Sequence, residues 1–143
     1  MKIRKLCDEI YRCMPSKYHY PIKICRSEND IYREILKEDK DGTIEDIRAY
    51  YTDYFDKRKG IYSKEAEKYR GFEGRGKYVI LAVSGNPILL NRYRLSKENI
   101  MYVALTVLHE IGHNTGYASE NYADKFAVEW LEKIRPNIIH LEI

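Results

Sequence analysis

The sequence lacks any apolar run long enough to cross a membrane, and it contains no glutamine. A transmembrane helix needs about 20 consecutive apolar residues. The N-terminus alternates charged and apolar residues, whereas a secretory signal peptide needs an unbroken apolar segment. We therefore expect a protein that stays in the cytoplasm. The absence of glutamine, beside many lysine, glutamate, isoleucine and tyrosine residues, is typical of proteins from thermophiles.

Cysteine is also scarce. Cys7, Cys13 and Cys25 are odd in number and lack CxxC spacing, so the sequence favours neither a disulfide framework nor a cysteine-ligated zinc site. We interpret them as buried thiols without a chemical role. A weaker alternative is that one thiolate reaches a metal ion elsewhere in the fold and blocks it.

The net charge of +3 falls well short of the basic excess that is typical of nucleic-acid-binding modules. With 44% hydrophobic and 33% charged residues, the chain of 143 residues is predicted to form one globular domain. Basic residues do cluster at Lys57-Arg58-Lys59 and at Arg70, Arg75 and Lys77. We interpret these clusters as a solvated surface and keep nucleic-acid binding as the alternative.

Hydrophobic spacing predicts three helices and one strand in the first half of the chain. An amphipathic helix is expected over residues 1–14, a strand over residues 21–26 and a helix over residues 29–38. Thr43 and Asp46 form a capping box for the third helix, which we extend to residue 69 with a bend near Gly60. Its many tyrosines are interpreted as core and half-buried aromatics, not as a platform for bases.

Residues 71–77 match the GxxxxGK half of a phosphate-binding loop. Tyr78 stands where that motif needs serine or threonine for magnesium, and the segment precedes a strand instead of following one. We therefore reject a nucleotide site and predict a loop whose glycines let it move over a cleft.

Two more strands and two helices are predicted in the second half. The clearest strand comprises Tyr78, Val79, Ile80, Leu81, Ala82 and Val83. A turn at residues 84–87 then leads to another strand at residues 88–90. Ser96 is the expected N-cap of the next helix and Ser119 that of the last, which Pro136 should end. Residues 138–143 are predicted as a terminal strand or a segment in a groove. The fold class is therefore α+β.

Two histidines of the penultimate helix define the candidate site. His109 and His113 lie four residues apart, so their imidazoles leave one face of the helix and can share a metal ion. Glu110 leaves the helix about 100° further round, close enough to hold a water on that ion without ligating it. The apolar stripe of this helix lies on a different face, so the ligands point away from the core.

Catalytic zinc takes three protein ligands and keeps a fourth position for water, so a third ligand is needed. Glu120 is the nearest candidate, because a turn at Gly116 can return the chain to the ion. Asp124 shares the helix face of Glu120 and can accept the second ring N–H of a ligating histidine, which we assign to His109. The alternative metzincin pattern would place its third ligand at Ser119, which cannot replace histidine, and no methionine follows for its Met-turn.

This arrangement predicts hydrolysis of a carbonyl substrate. One Zn²⁺ would lower the pKa of its bound water to about 7 and polarise the substrate carbonyl. Glu110 would take a proton from that water and deliver it to the leaving amine. Tyr117, Tyr122 and His140 are candidates to stabilise the oxyanion of the transition state.

His109-Glu110-Ile-Gly-His113 with Glu120-Asn-Tyr-Ala-Asp124 resembles the gluzincin class of zinc metallopeptidases, which carry HExxH and a downstream glutamate. The size and short sheet resemble the minigluzincins, and Phe126-Ala127 is similar to ImmA/IrrE-type peptidases. The matched motifs cover residues 109–124 only, and the spacing from His113 to Glu120 is shorter than in many gluzincins. The resemblance implies a zincin-like fold, in which a small three-stranded, mostly antiparallel sheet packs on the active-site helix and several further helices.

The resemblance implies roles as well. Glu110 would be the catalytic base, His109, His113 and Glu120 the zinc ligands, and Asp124 the residue that orients a ligand. The strand at residues 78–83 would align a peptide substrate antiparallel to itself. Some relatives are held latent by a terminal segment, so residues 1–20 and 136–143 are candidate regulatory segments.

The expected function is a zinc metalloendopeptidase that acts on peptides or exposed protein segments. The first alternative is a zincin-fold regulatory or nucleic-acid-associated binding protein without general peptidase activity. The second is a structural zinc site without turnover, which would have no use for Glu110 beside an open position.

Overall fold

A computed structural model of the chain describes residues 2–38, 42–48 and 80–141. Several sequence predictions lie outside these residues: the third helix beyond residue 48 with its tyrosines, the loop at residues 71–77, the basic clusters between residues 57 and 77, and the start of the strand at Tyr78 and Val79. The last two residues of the predicted tail also lie outside them.

Helices make up most of the described chain. Helix α1 spans Ile3–Arg12, α2 Glu28–Leu36, α3 Arg92–Leu95, α4 Ile100–Asn114 and α5 Glu120–Ile138, and a 3-10 turn covers Ser16–Tyr18. Residues 44–48 are also helical. None of the helices in the described ranges is both long enough and apolar enough to pass through a lipid bilayer.

Three short strands form one mixed sheet. They are β1 Ile22–Cys25, β2 Ala82–Val83 and β3 Ile88–Asn91, and β3 lies in the centre. Strand β1 runs parallel to β3 and β2 runs antiparallel to it. The expectation of a mostly antiparallel sheet is corrected, because the longer pairing is the parallel one. Alternation within a strand shows which face is buried but not the direction of a neighbour far away in sequence.

The strand was predicted over residues 78–83, of which the structure describes residues 80–83. Only Ala82 and Val83 of these lie in β2, so the predicted strand was too long. Ile80 is buried, and its carbonyl accepts a hydrogen bond of 2.8 Å from the side-chain amide of Asn91. The backbone N–H of Asn91 donates to Leu81 at 2.9 Å. A buried asparagine therefore satisfies the backbone where a longer ladder was expected.

The side chains of β3 face two different cores. Ile88 and Leu90 belong to the main core, which includes residues of α1, α4 and α5. Leu89 belongs to a smaller cluster with Ile31 and Tyr32 of α2. A central strand covered on both faces is expected to be continuously apolar, and this explains the sequence of β3.

Helix α1 is an integral part of the main core. Its predicted stripe is confirmed, since Ile3, Leu6, Cys7 and Ile10 are fully buried against the other elements. Burying a large aliphatic side chain stabilises a fold by about 1.5–3 kcal/mol. The segment at residues 1–20, expected to be a candidate regulatory segment, thus contributes a helix that the core requires.

The ends of three helices test the predicted caps. Thr43 and Asp46 exchange the two hydrogen bonds of a capping box, at 3.1 and 3.2 Å, as predicted. Ser119 is the N-cap of α5, also as predicted, and accepts from the N–H of Tyr122. The cap of α4 was wrongly assigned to Ser96, which follows α3; the residue that caps α4 is Asn99.

Helix α5 continues through Pro136 and ends at Ile138, so the predicted stop was wrong. Proline removes one N–H donor, so Pro136 costs the helix one backbone hydrogen bond. Ile138 is fully buried in the main core, which holds the last turn in place. Residue 138 is therefore helical, and a turn follows it instead of the terminal strand that was expected.

Candidate metal centre

Helix α4 carries both histidines on a face that is turned partly away from the core. Val103, Ala104, Val107, Leu108 and Ile111 are fully buried, as the predicted stripe requires. The side chains of His109 and His113 keep 15% and 13% of their exposure, so solvent can still reach them. Their ring centroids lie 4.7 Å apart, with the planes 80° from parallel.

The chain returns to these histidines through a short turn after α4. Gly116 adopts a φ of 110°, a conformation that favours glycine, and so permits the reversal. Ser119 then caps α5, whose first residue is Glu120. The third predicted ligand is therefore fixed at a helix terminus and is only 14% exposed.

The two histidines and Glu120 converge on one point. One ligand atom from each lies within 4.8 Å of the others, a group that could hold a metal ion. The Nε2 of His109 is 3.5 Å from one carboxylate oxygen of Glu120, and the Nε2 of His113 contacts the other oxygen. The structure thus brings together the three predicted ligands, two nitrogens and one carboxylate, a set that suits zinc.

The Nδ1 atom of each histidine has its own partner, which orients the ring. Asp124 Oδ1 lies 2.7 Å from Nδ1 of His109, and the Tyr117 carbonyl oxygen lies 3.0 Å from Nδ1 of His113. Because a carboxylate and a carbonyl can only accept, both Nδ1 atoms carry hydrogen and donate. This leaves each Nε2 as the atom that would ligate an ion, so the residues present fit a metal.

The charges of the group favour a cation at its centre. Burial by itself lowers the pKa of His109, but hydrogen bonds with Asp124 and Glu120 and the charge of Glu110 outweigh it and raise this pKa to about 10. Burial opposes the shift of His113 too, yet Glu120 raises its pKa. Burial raises the pKa of Glu120, while the two histidines hold it well below its ordinary value. The positive charge can come from protons or from a divalent ion.

Glu110 follows His109 directly and is partly exposed on α4. Its carboxylate lies close enough to raise the pKa of both histidines through its charge. Glu110 is not one of the three residues of the ligand group, and a carboxylate beside that group could accept a proton from a water on a bound ion.

The candidates for the oxyanion lie in different places. The Tyr117 and Tyr122 rings are in contact, with centroids 4.3 Å apart, and Tyr117 is 56% exposed. The far end of α5, at Ile138, is about 27 Å from Glu120 at 1.5 Å per residue, and His140 follows it. The Tyr117 backbone carbonyl contacts the ligand His113, whereas the Tyr122 hydroxyl contacts Thr115, and His140 is remote from the metal centre.

The cysteines take no part in the metal group of the described residues. Cys7 lies in the main core, and burial raises the pKa of its thiol to about 12. Cys25 is buried in the smaller cluster, and Cys13 packs against the main core. All three thiols lie in or against apolar surroundings. This agrees with cysteines that have no chemical role and not with a thiolate that blocks the metal ion.

Gly112, between the two histidines, is a supporting residue that sequence reasoning missed. A Cβ at this position would lie 3.2 Å from the Cα of Ala123 and 3.1 Å from a ring carbon of Phe126. The missing side chain therefore lets α4 and α5 approach closely enough for Asp124 to reach His109. A lone glycine inside a helical pattern was the available signal. No sequence signal could have indicated the role of the Tyr117 carbonyl, because every residue has a backbone carbonyl.

Comparison of the chain with models of protein families, with curated proteins and with solved structures finds no significant match in any of the three. Its function is therefore inferred from the chemistry of the metal centre.

Proposed function

We propose that this protein is a zinc-dependent metallopeptidase that cleaves peptides or exposed segments of proteins. The proposal is carried by one observation, the convergence of ligand atoms from His109, His113 and Glu120 within 4.8 Å. Three protein ligands leave a position of tetrahedral zinc open, as in catalytic sites, whereas structural sites are closed by four. The resemblance of the motif to gluzincins supports the same reaction.

Two histidines and one carboxylate also suit non-haem iron. We favour zinc because Glu110 comes directly after His109 and supplies the proton acceptor that hydrolysis needs. When bound, zinc would act as a Lewis acid that polarises the scissile carbonyl and acidifies a water in its open position. Metal analysis of the purified protein distinguishes the two ions.

The side chains of this protein divide the remaining work. Glu110 takes the proton of the attacking water and returns it to the leaving amine. Asp124 keeps the hydrogen of His109 on Nδ1, so that Nε2 faces the ion. The Tyr117 carbonyl does the same for His113. Tyr117 and Tyr122 stay the candidates to donate a hydrogen bond to the oxyanion.

The test combines metal content with cleavage of a mixed library of synthetic peptides. We expect wild-type protein to hold one zinc ion and to cleave a subset of the library. Glu110→Gln should keep the zinc and lose at least about 100-fold in kcat, because general base catalysis contributes that much. His109→Ala should lose the zinc.

Glu129→Gln is the matched control, since Glu129 is an exposed residue of α5 outside the ligand group. It should leave zinc content and cleavage unchanged. Cleavage by Glu110→Gln at the wild-type rate would exclude Glu110 as the base. Zinc bound without cleavage in any form would instead favour the binding-protein alternative.

Latency through a terminal segment is not part of the proposal. Helix α1 cannot leave its position without exposing the main core, and Ile138 is buried in the same core. The C-terminal end of α5 lies about 27 Å from Glu120, and five residues span at most about 17 Å when extended, too short to reach the metal centre from there.

A further inference from the structure

Asn114 and Gly85 join the end of the histidine helix to the loop that follows the edge strand. The Asn114 side-chain carbonyl accepts from the Gly85 N–H at 2.8 Å. Its side-chain amide donates to the Gly85 carbonyl at 2.6 Å. Asn114 is the last residue of α4 and directly follows the ligand His113. The two reciprocal bonds repeat the pattern that closes a hydrogen-bonded pair in an antiparallel sheet.

Gly85 lies two residues beyond β2, the strand at one edge of the sheet. On its inner side β2 pairs with β3, through Ala82 opposite Leu90 and Val83 opposite Leu89. Within the described ranges no strand pairs with its other side. Such an edge can add an extended peptide by backbone hydrogen bonds. Gly85 has a φ of 141°, so the turn needs glycine to present its backbone to Asn114.

We propose that Asn114 is a positioning residue for the substrate. By holding Gly85, it fixes the outer edge of β2 relative to the ligand His113, so that a peptide paired with this edge would present its scissile carbonyl to a bound ion. This inference rests on the proposed peptidase function. It implies that the protein recognises the backbone of a peptide substrate.

The contact is suited to positioning more than to holding the fold together. Gly85 is exposed and Asn114 is half-buried, so water can satisfy the groups that are released when the side chain is removed. Neither the apolar core nor a metal ligand changes. The loss of alignment should therefore be measurable in folded, zinc-loaded protein.

The experiment is a coupling cycle between Asn114→Ala and methylation of substrate amides, in full-length zinc-loaded protein. The substrate is the best-cleaved library peptide, together with copies that carry one backbone N-methyl group each. In an extended peptide alternate N–H groups face the same strand, so only alternate methylations should impair wild-type cleavage. The intervening positions serve as internal controls.

We expect methylation at the sensitive positions to lower kcat/KM of the wild type about tenfold, since it removes a pairing bond and misplaces the peptide. Asn114→Ala should lower kcat/KM for the unmethylated peptide by about tenfold with unchanged zinc affinity. In this variant the methylation penalty should shrink to about threefold or less, because the two changes damage the same alignment. Asn137→Ala, at an exposed residue near the end of α5, should behave as wild type.

Equal methylation penalties in wild type and Asn114→Ala would overturn the role of Asn114 while leaving the peptidase proposal intact. If the zinc-loaded wild type cleaves no peptide, the proposed function fails and this inference fails with it. Hydrogen exchange checks the contact itself. The Gly85 amide should exchange at least about tenfold faster in Asn114→Ala than in Asn137→Ala, and equal rates would also overturn the assignment.

Discussion

A methyl group placed on Gly112 would lie 3.2 Å from the Cα of Ala123, closer than nine in ten real Cβ contacts. Gly112 belongs to α4 and Ala123 to α5, and the ligands of the metal centre are divided between these two helices. Close packing at this glycine therefore sets how near the carboxylates of Glu120 and Asp124 on α5 lie to the two histidines on α4.

Gly112→Ala should destabilise the protein although alanine is the better helix former. Higher propensity stabilises a helix by about 1 kcal/mol, whereas overpacking costs about 1–3 kcal/mol. The backbone of Ala123 cannot move aside as a flexible side chain would. We expect a lower midpoint in urea and weaker zinc binding, measured by chelator competition. A variant as stable as wild type with unchanged affinity would show that the helices can separate without cost.

Asp124→Asn should weaken zinc binding by about 10- to 100-fold while the fold stays intact. The carboxylate of Asp124 accepts from Nδ1 of His109 at 2.7 Å and is almost fully buried. An amide accepts more weakly and brings N–H donors into the same space. Chelator competition measures the affinity, and Glu129→Gln provides the charge-matched control. Unchanged affinity in Asp124→Asn would mean that His109 is oriented by other contacts.

Ser119→Ala should cost about 1 kcal/mol of stability, because the Ser119 hydroxyl caps α5 by accepting from the N–H of Tyr122. Zinc affinity should fall as well, since Glu120 lies in the first turn that the cap holds. Ser119→Thr keeps a capping hydroxyl and should stay near wild type in both measurements. If the two variants are indistinguishable in thermal unfolding and zinc titration, the cap does not position Glu120.

Metal-free protein should lose stability as the pH rises from 6.5 to 10. The pKa of His109 is raised from an ordinary value of 6.5 to about 10, so its protonated form stabilises the fold. That contribution is complete below the unfolded pKa and disappears as the pH approaches the folded one, and it is on the order of a few kcal/mol. Urea unfolding of chelator-treated protein at several pH values measures it.

Asp124→Asn supplies the control for this pH dependence, because Asp124 is one of the groups that raise the pKa of His109. Its stability should depend less on pH over the same interval. Zinc-loaded wild type should also show a weaker dependence, since the ion takes the place of a proton on the imidazole. A flat profile for metal-free wild type would contradict the raised pKa.

Much of the local structure could be predicted from the sequence. The stripes of α1 and α4, the capping box of Thr43 and Asp46, and the cap at Ser119 follow from the spacing of neighbours along the chain. The errors have local and distant causes. Pro136 was expected to stop α5, but the burial of Ile138 outweighs one lost hydrogen bond. The length of β2 depends on Asn91, whose side chain binds Ile80 from another strand.

The sequence by itself determined which residues form the candidate centre, because a helix of fixed period places His109 and His113 on one face. It also placed Glu120 and Asp124 within reach through the turn at Gly116. Only the tertiary structure decided how these groups meet. The Nε2 atoms face Glu120 because two helices cross closely at Gly112. The loop after the edge strand meets the end of α4 through the bond between Asn114 and Gly85, a residue 29 positions away. Local spacing fixes the face of a helix, whereas contacts between distant segments depend on how those faces pack.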